Sequence, residues 1–283
     1  MNKLKLRLLL EQFFLEDIGD RDVSSQIFAH REHGQVVFIA KEEGVFCGED
    51  VIQTGYAVLD PGIRFDINVK DGERVERGQR LAIASGPIKS LLKGERVILN
   101  LVQRMSGIAT KTDKAVETLR GTKVKVCDTR KTTPGLRMLE KYAVRCGGGY
   151  NHRYGLYDGA MVKDNHIAFA GSIKKAVQAI RESAGHMINI EVETETKEQV
   201  IEAVEAKADV IMFDNRSPED IREWVKLVPE GIITEASGGI TMDNLRDYGE
   251  TGVEYISLGF LTHSISSFDI SVKVDICVLR ETC

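Results

Sequence analysis

Residues 188–240 read INIEVETETKEQVIEAVEAKADVIMFDNRSPEDIREWVKLVPEGIITEASGGI. Three segments of this stretch, INIEVE, DVIMFD and IITEAS, are short apolar runs that end in polar side chains and lead into helix-forming sequence. Short buried runs that alternate with helices are typical of parallel strands joined by crossover helices. The stretch therefore predicts consecutive βα units.

The same unit extends to both sides of this stretch. The segments VKVCD and GAMVK precede it, and VEYISLG follows it. The polar strand ends at positions 163, 193, 214, 235 and 257 lie 30, 21, 21 and 22 residues apart, which is the length of one βα unit. This repetition predicts an α/β fold with a parallel sheet or a barrel, in which the carboxyl ends of the strands open onto one face.

The first third of the chain has a different pattern. Apolar residues at helical spacing between residues 4 and 16 predict an amphipathic helix, and β-branched runs broken by glycine between residues 34 and 85 predict strands. A long helix is expected from about residue 91 to 120, with a break at Ser106-Gly107. We interpret this helix as the change from one domain to the next.

Composition excludes several classes of protein. The chain has 283 residues, 42% of them apolar, with 38 basic and 43 acidic side chains. It lacks an apolar run of membrane-spanning length, and its basic residues form no stripe interleaved with aromatics, so we expect neither membrane nor nucleic-acid partners. The five cysteines are widely spaced and contain no CxxC pair, which argues for a reducing, cytoplasmic location.

Basic residues are concentrated in one segment against this acidic background. Between Asp128 and Lys163 the chain carries seven lysines or arginines and only three acids, interleaved with the glycines at 147–149 and a His152-Arg153 pair. Arginine forks and an imidazole suit a planar dicarboxylate, whereas lysines provide point charges for carboxylate or phosphate. The segment therefore predicts one wall of a pocket for a small anion with several charges.

The later strand ends supply the opposite chemistry. Glu193 and Asp214 are candidates for an acid/base pair, for a metal site, or for anions that face a developing positive charge on a ribosyl group. Ser237-Gly238-Gly239 and Gly259 follow the last two strands, where barrel proteins bind phosphate on free backbone N–H groups.

The motifs resemble those of one family across nearly the whole chain. EDIGDRDVSS, ERVILNLVQRMSGIAT, DTRKTTPGLRMLEKYAV, GGGYNHRYGLYDGAMVKDNH, EVE, FDN, EASGGI and GFLTHS are similar to the motifs of quinolinate phosphoribosyltransferases, in the same order. The resemblance implies that quinolinate and phosphoribosyl pyrophosphate react to give nicotinate mononucleotide, pyrophosphate and carbon dioxide, in NAD biosynthesis. Mg²⁺ would arrive mainly with the pyrophosphate, and no dedicated protein metal site is implied.

The resemblance also implies an architecture. An N-terminal α/β sandwich over residues 1–104, joined by the C-terminal tail 266–283, would precede an incomplete α/β barrel of the seven-stranded type over residues 105–265. A homodimer would complete each site with Arg96 from the partner subunit, and we rank the nearby Arg104 below Arg96 for this role.

Roles for individual residues follow from the same resemblance. Lys163, Glu193 and Asp214 would be catalytic. Two quinolinate carboxylates would be held by Arg96 in trans together with Thr129, Arg130, His152, Arg153 and Lys163. Lys131 would reach the pyrophosphate or phosphate, and Glu193 and Asp214 would bind the ribose. The 5′-phosphate would be bound by Ser237, Gly238, Gly239, Gly259 and His263.

Three alternatives remain open on the sequence. A pyrophosphorylase of the molybdenum-transport type would have the same fold and a different acceptor, but we expect such relatives to lack the intact KDNH at residues 163–166. A Schiff-base aldolase would use Lys163 as its nucleophile. A catalytically silent paralogue would serve as a binding protein.

Overall fold

The computed structural model describes residues 1–29 and 32–274, which form two compact units. Of the described residues, the first unit contains those within Met1–Lys111, Met138–Gly148 and the segment from Ile265 to Val274. The second contains Thr112–Arg137 and Gly149–Ser264. The boundary predicted after residue 104 falls inside a long helix, and residues 275–283 of the predicted tail lie outside the described residues.

The elements follow one another in this order. The first part of the chain forms α1 (Lys3–Ile18), β1 (His33–Ala40), β2 (Gly44–Val45), α2 (Glu49–Leu59), β3 (Arg64–Ile67), β4 (Arg74–Val75), β5 (Arg80–Pro87) and α3 (Ile88–Thr118). The next part forms β6 (Lys125–Cys127), α4 (Arg137–Cys146), β7 (Ala160–Val162), α5 (Asp164–Ala170), α6 (Ile173–Ala184), β8 (Ile190–Thr194) and α7 (Lys197–Glu205). The last part forms β9 (Val210–Asp214), α8 (Pro218–Trp224), β10 (Ile233–Ser237), α9 (Leu245–Gly249), β11 (Tyr255–Ser257), α10 (Phe260–His263) and β12 (Ile270–Val274). Two short 3₁₀ turns lie at Ser24–Ile27 and Val225–Leu227.

The first unit is built on an antiparallel sheet in the order β12-β1-β5-β3. Helix α1 buries Leu6, Leu10 and Phe14, which lie four residues apart and therefore on one face. The predicted N-terminal helix and the strands between residues 34 and 85 are confirmed. Helix α2 was not predicted, because its N-terminal cap comes from a residue outside the helix. Asp71 Oδ1 accepts hydrogen bonds from Gly48 N at 2.6 Å and from Glu49 N at 2.9 Å.

The long helix is present, but the predicted break at Ser106-Gly107 is wrong. Helix α3 runs without interruption from Ile88 to Thr118. Gly107 is required for close packing, because a Cβ there would lie 2.3 Å from the carbonyl oxygen of Ser266. The hydroxyl of Ser106 accepts from Cys47 N at 3.0 Å and is buried. Ser106 and Gly107 therefore allow α3 to pack against other segments of this chain, and they do not bend the helix.

The second unit is a parallel sheet in the order β6-β11-β10-β9-β8-β7. All six strands are those predicted from the sequence, and a seventh position is occupied by a single parallel bridge between Cys127 and Tyr150. Among the described residues, Tyr150 forms no strand pairing with β7. The prediction of an α/β fold with an incomplete barrel is confirmed.

Strand alternation produces layers of side chains inside this barrel. Residues two apart on a strand point to the same face, so Glu191 and Glu193 of β8 share the inner face, as do Glu235 and Ser237 of β10. Glu193 and Ser237 lie toward the carboxyl ends of their strands, and Glu191 and Glu235 lie one layer deeper. In the described residues, no helix combines the length and apolar character that a membrane crossing requires.

Candidate active site

A cavity of about 450 Å³ opens at the carboxyl ends of the barrel strands. It is lined by Thr129, Arg130, Lys131, His152, Arg153, Met161, Lys163, Glu193, Met212, Asp214, Asn215, Ser237, Gly238, Gly239 and Ser257. The loops after β6, β7, β9 and β10 and the segment after Tyr150 contribute residues, together with strand residues such as Glu193 of β8 and Ser257 of β11. The structure therefore brings most of the predicted site residues of this unit into one cavity.

The first part of the cationic wall is the loop after β6. Arg137 holds this loop in place, because its guanidinium donates to the Thr132 hydroxyl at 2.9 Å and to the carbonyls of Arg130 and Tyr154 at 3.4 and 3.0 Å. Arg130 Nε is buried and has no hydrogen-bond partner within the described residues. A buried guanidinium N–H without a partner is costly, and an anionic ligand would satisfy it.

The second part of this wall is the His152-Arg153 pair. Fully buried Asp128, at the end of β6, accepts from Asn151 Nδ2 at 2.6 Å and from His152 N at 2.9 Å. Burial lowers the pKa of Arg153 below its usual value, and the neighbouring positive charge of Arg130 lowers it further. Two guanidinium groups that repel each other in a half-buried wall are suited to an anion placed between them.

The ring of His152 is engaged at both nitrogens. Nδ1 accepts from Arg153 N at 2.8 Å, and Nε2 lies 2.9 Å from Glu191 Oε2 and 3.6 Å from Glu235 Oε1. Contact of the imidazole with a ligand carboxylate, which stays a prediction, would require the ring to exchange one of these partners.

Lys163 and Glu193 connect the cationic wall to the acidic one. Lys163 Nζ donates to Glu193 Oε1 across neighbouring strand ends. Burial raises the pKa of Glu193, the hydrogen bond and positive charge of Lys163 oppose that rise, and the nearby Asp214 adds to it. Asp214 accepts from Asn215 Nδ2 at 2.8 Å. The ammonium and the two carboxylates thus lie close together in the lining of the cavity.

The loop after β10 presents backbone to the cavity. Gly238 and Gly239 have φ of +83° and +66°, a region that favours glycine. A Cβ on Gly238 would lie 2.3 Å from Asn215 Oδ1, so the amide of Asn215 closes one side of this loop. The sequence analysis assigned no role to Asn215. It follows Asp214 directly in FDN, and its φ of 52° is uncommon for a residue other than glycine.

Gly259 and His263 adjoin the cavity at Lys131. A Cβ on Gly259 would lie 3.0 Å from His263 Nε2 and 3.1 Å from Lys131 Cδ. The Thr262 hydroxyl donates to the carbonyl of Lys131 at 2.8 Å. These contacts place the predicted phosphate-binding residues of the last βα loop next to a lysine on the first loop.

The two candidate arginines of α3 differ in their surroundings. Arg104 donates from Nε and Nη2 to Glu140 Oε1 at 2.8 and 2.6 Å, and Glu140 is buried. The side chain of Arg96 is exposed. Arg104 is therefore committed to an ion pair within the first unit, whereas Arg96 faces solvent.

The cavity can act on an anionic aromatic ring and on a sugar at the same time. Its guanidinium and ammonium groups suit carboxylates, its central acids suit an electron-deficient ribosyl carbon, and its glycine backbone suits a phosphate. The inner side chains Met161, Met212 and Ser257, which the sequence did not single out, form the floor between these parts.

Comparison with known proteins agrees with this chemistry. Residues 22–106 match the N-terminal domain of quinolinate phosphoribosyl transferase, and residues 108–273 match its C-terminal domain. The chain is 56% identical over 274 residues to a protein named probable nicotinate-nucleotide pyrophosphorylase [carboxylating] from Bacillus subtilis, covering 97% of this chain and 95% of that protein.

Solved structures lead to the same family. The crystal structure of NadC from Streptococcus pyogenes matches with a TM-score of 0.93 and 40% identity, covering 97% of this chain and 98% of the other. The nicotinate-nucleotide pyrophosphorylase from Francisella tularensis matches with a TM-score of 0.91 and 36% identity, covering 97% and 98%. With its sequence motifs, its strand-end cavity and these relatives in agreement, the chain belongs to the quinolinate phosphoribosyltransferase family.

Proposed function

We propose that the chain transfers the phosphoribosyl group of phosphoribosyl pyrophosphate to quinolinate and that decarboxylation then gives nicotinate mononucleotide, pyrophosphate and carbon dioxide. The observation that carries this proposal is the division of one cavity into a guanidinium wall and a carboxylate wall, which meet at Lys163 and Glu193. The named relatives favour this reaction over the molybdenum-transport and aldolase alternatives.

Binding of quinolinate begins at the cationic wall. Its carboxylates pair with Arg130 and Arg153, with Thr129, His152 and Lys163 as further predicted contacts. Lys163 then exchanges Glu193 for a substrate carboxylate, which frees Glu193 to face the ribose beside Asp214. The exchange keeps the ammonium of Lys163 paired with a carboxylate before and after binding, so its charge is not left bare at either stage.

Transfer follows from the positions of these groups. The ring nitrogen attacks C1 of the ribose while pyrophosphate departs, and Glu193 and Asp214 stabilise the positive charge that develops on the sugar. The pyridinium nitrogen of the product then accepts the electron pair left by loss of the adjacent carboxylate. Lys131 reaches the pyrophosphate or phosphate, and Ser237, Gly238, Gly239, Gly259 and His263 bind the 5′-phosphate.

Magnesium enters this scheme as a partner of the pyrophosphate. Mg²⁺ prefers oxygen ligands and usually keeps several waters, and when bound it neutralises charge on the leaving group. Among the described residues, the two groups of three potential metal ligands are Cys47-Asp71-Cys146 and His152-Glu191-Glu235, and neither contains Glu193 or Asp214. Glu193 and Asp214 line the cavity with carboxylate oxygens, which suit a cation carried mainly by substrate oxygens.

We also propose a homodimer in the cytoplasm. Arg96 is exposed beside the buried Val97, Ile98 and Leu99 of α3, which suits a guanidinium that completes the site of a partner subunit. Within the described part of the chain, Cys47, Cys127 and Cys146 are not joined in disulfides, which suits a reducing compartment.

A mass-spectrometric assay tests the reaction. Purified protein with quinolinate, phosphoribosyl pyrophosphate and Mg²⁺ is expected to form nicotinate mononucleotide, with labelled carbon dioxide released from quinolinate labelled at the 2-carboxylate. Omission of any one component should abolish the product. Failure of the complete mixture to form it, or trapping of a carbonyl substrate on Lys163 by borohydride, would overturn the proposal.

A further inference from the structure

A cluster of ionisable side chains lies one layer below the candidate site. Glu191 and Glu235 are 5% and 4% exposed, and a ring nitrogen of His152 and a carboxylate oxygen of each acid lie within 4.8 Å of one another. A second cavity of about 270 Å³, at the opposite end of the strands, is lined by His152, Arg153, Glu191 and Glu235. His152 and Arg153 thus form a wall shared by both cavities.

Hydrogen bonds determine the tautomer of His152. Its Nδ1 accepts from the backbone N–H of Arg153, so Nδ1 carries no proton. The proton of a neutral ring then resides on Nε2, which lies 2.9 Å from Glu191 Oε2 and donates to it. The ring is therefore a neutral link from a buried carboxylate to the backbone of Arg153.

Glu235 keeps its proton at neutral pH. Oε1 of Glu191 and Oε1 of Glu235 are each buried without a hydrogen-bond partner in the described part of the chain. Burial raises the pKa of Glu235 to about 8, and the negative charges of Glu191 and Glu193 add to the rise. A buried carboxyl group beside a second carboxylate is typically held neutral for this reason.

A divalent cation is the competing explanation for the same cluster. Two carboxylates and an imidazole are suitable ligands for such an ion. Binding at Nε2 would require that nitrogen to lose its proton, and a neutral ring would then carry its proton on Nδ1. That proton would face the N–H of Arg153, which already points at Nδ1. The geometry therefore favours a proton over a metal.

Arg153 is fixed at both of its ends. Its backbone N–H is held by His152, and its guanidinium donates to the carbonyl of Gly159 at 3.0 Å and to Met161 Sδ at 3.6 Å. Since Arg153 lies near the like charge of Arg130, it needs such restraint to remain in the cationic wall.

We propose that Glu191 and the neutral carboxyl group of Glu235 act, through the Nε2–H of a neutral His152, as positioning residues for Arg153. This inference rests on the proposed function only where it names quinolinate as the ligand of Arg153. When Glu235 loses its proton to solvent, its carboxylate, 3.6 Å from Nε2, competes with Glu191 for the Nε2–H of His152. The ring then turns toward Glu235, its Nδ1 no longer accepts from Arg153 N, and the arginine loses this restraint.

Nitrogen-15 spectroscopy of selectively labelled histidine tests the tautomer without any substrate. At pH 7 the expected pattern for His152 is a protonated Nε2 and an unprotonated Nδ1. The signal is assigned by its loss in His152→Asn. If that variant does not fold, variants of the other five of the chain's 6 histidines assign the signal by elimination. A protonated Nδ1 at pH 7 would overturn the proposal.

The pH dependence of KM tests the positioning role. For the wild type, KM for quinolinate should rise about tenfold above pH 8, corresponding to about 1.4 kcal/mol of lost binding, with a smaller change in kcat. Glu235→Gln, which resembles the protonated acid, should abolish that rise. The matched control Glu250→Gln, in an exposed pair with Arg246, should follow the wild type. A rise that persists unchanged in Glu235→Gln would contradict the proposal.

Metal analysis completes the experiment. Purified wild-type protein and Glu235→Gln should both contain no stoichiometric divalent metal. A metal bound by the wild type and absent from Glu235→Gln would overturn the proposal in favour of a metal site. Absence of any turnover of quinolinate by the wild type would refute the proposed function instead, because the tautomer and the metal content are measured without catalysis.

Discussion

At the scale of single residues, the candidate site combines buried groups that are costly without a ligand. Arg130 has a buried Nε without a partner, and Arg153 has a lowered pKa in the same wall. Preorganised charges of this kind lose little freedom when a carboxylate binds, so their contribution to the transition state is expected to be large.

Arg130→Ala should therefore lower kcat/KM for quinolinate by on the order of a hundredfold, equivalent to about 3 kcal/mol of transition-state binding. Arg130→Lys keeps the charge but removes the forked geometry, so it should recover only part of this loss. Steady-state kinetics with each variant measure the effect. Arg222→Ala, at an exposed position of α8 paired with Glu219, is the surface control. Near-normal kcat/KM in Arg130→Ala would exclude a direct contact with substrate.

Glu235 makes folding stability depend on pH. Its pKa of about 8 in the folded chain lies above the value of about 4.5 expected on unfolding, so the folded state holds the proton more tightly. The resulting stabilisation is complete below pH 4.5 and is lost as pH rises toward 8. Between pH 4.5 and 8, each rise of one pH unit lowers the free energy of unfolding by about 1.4 kcal/mol for each proton that the folded state retains.

Replacement by glutamine should remove this dependence. Thermal unfolding between pH 5 and 9 is expected to show a decline in Tm with rising pH that is steeper for the wild type than for Glu235→Gln. Parallel curves for the two proteins would show that Glu235 is ionised throughout this range in the folded state.

At the scale of elements, the sequence predicted the barrel strands because each repeats the same pattern of apolar residues and a polar end. It missed α2, whose capping carboxylate comes from Asp71 in a later turn. It also missed the contacts among His152, Glu191 and Glu235, which lie far apart in the chain and meet only when strands align in register. The predicted site residues that lie at strand ends were brought together, since the fold itself makes those ends converge.

Helix α3 provides a test of close packing. Alanine favours helices over glycine by about 1 kcal/mol, yet a Cβ at Gly107 would lie 2.3 Å from the carbonyl oxygen of Ser266. We expect Gly107→Ala to lower the free energy of unfolding by about 1–2 kcal/mol, because overpacking outweighs the gain in propensity. Urea denaturation measures the change, with Lys114→Ala on the exposed side of α3 as the control. A gain in stability for Gly107→Ala would show that the segment at Ser266 yields to the new methyl group.

At the scale of the whole molecule, the proposed homodimer divides one active site between two chains. A dimer that pairs an Arg96→Ala subunit with a Lys163→Ala subunit has one site with both residues intact and one site without either. Such heterodimers, isolated with two different tags, should recover about half of the wild-type activity.

The informative control pairs Arg130→Ala with Lys163→Ala. Both residues line the same cavity of one chain, so each site of that heterodimer lacks one of them and activity should stay low. Equal recovery in both pairings, or no recovery with Arg96→Ala, would refute a site shared through Arg96.

The wall formed by His152 and Arg153 has a consequence for inhibitor discovery. Because these two residues face a chamber at each end of the barrel, a small molecule bound in the rear chamber would contact Arg153, the proposed quinolinate-binding arginine, from behind. Such a compound need not imitate a pyridine diacid or a sugar phosphate, and high substrate concentrations would not simply displace it.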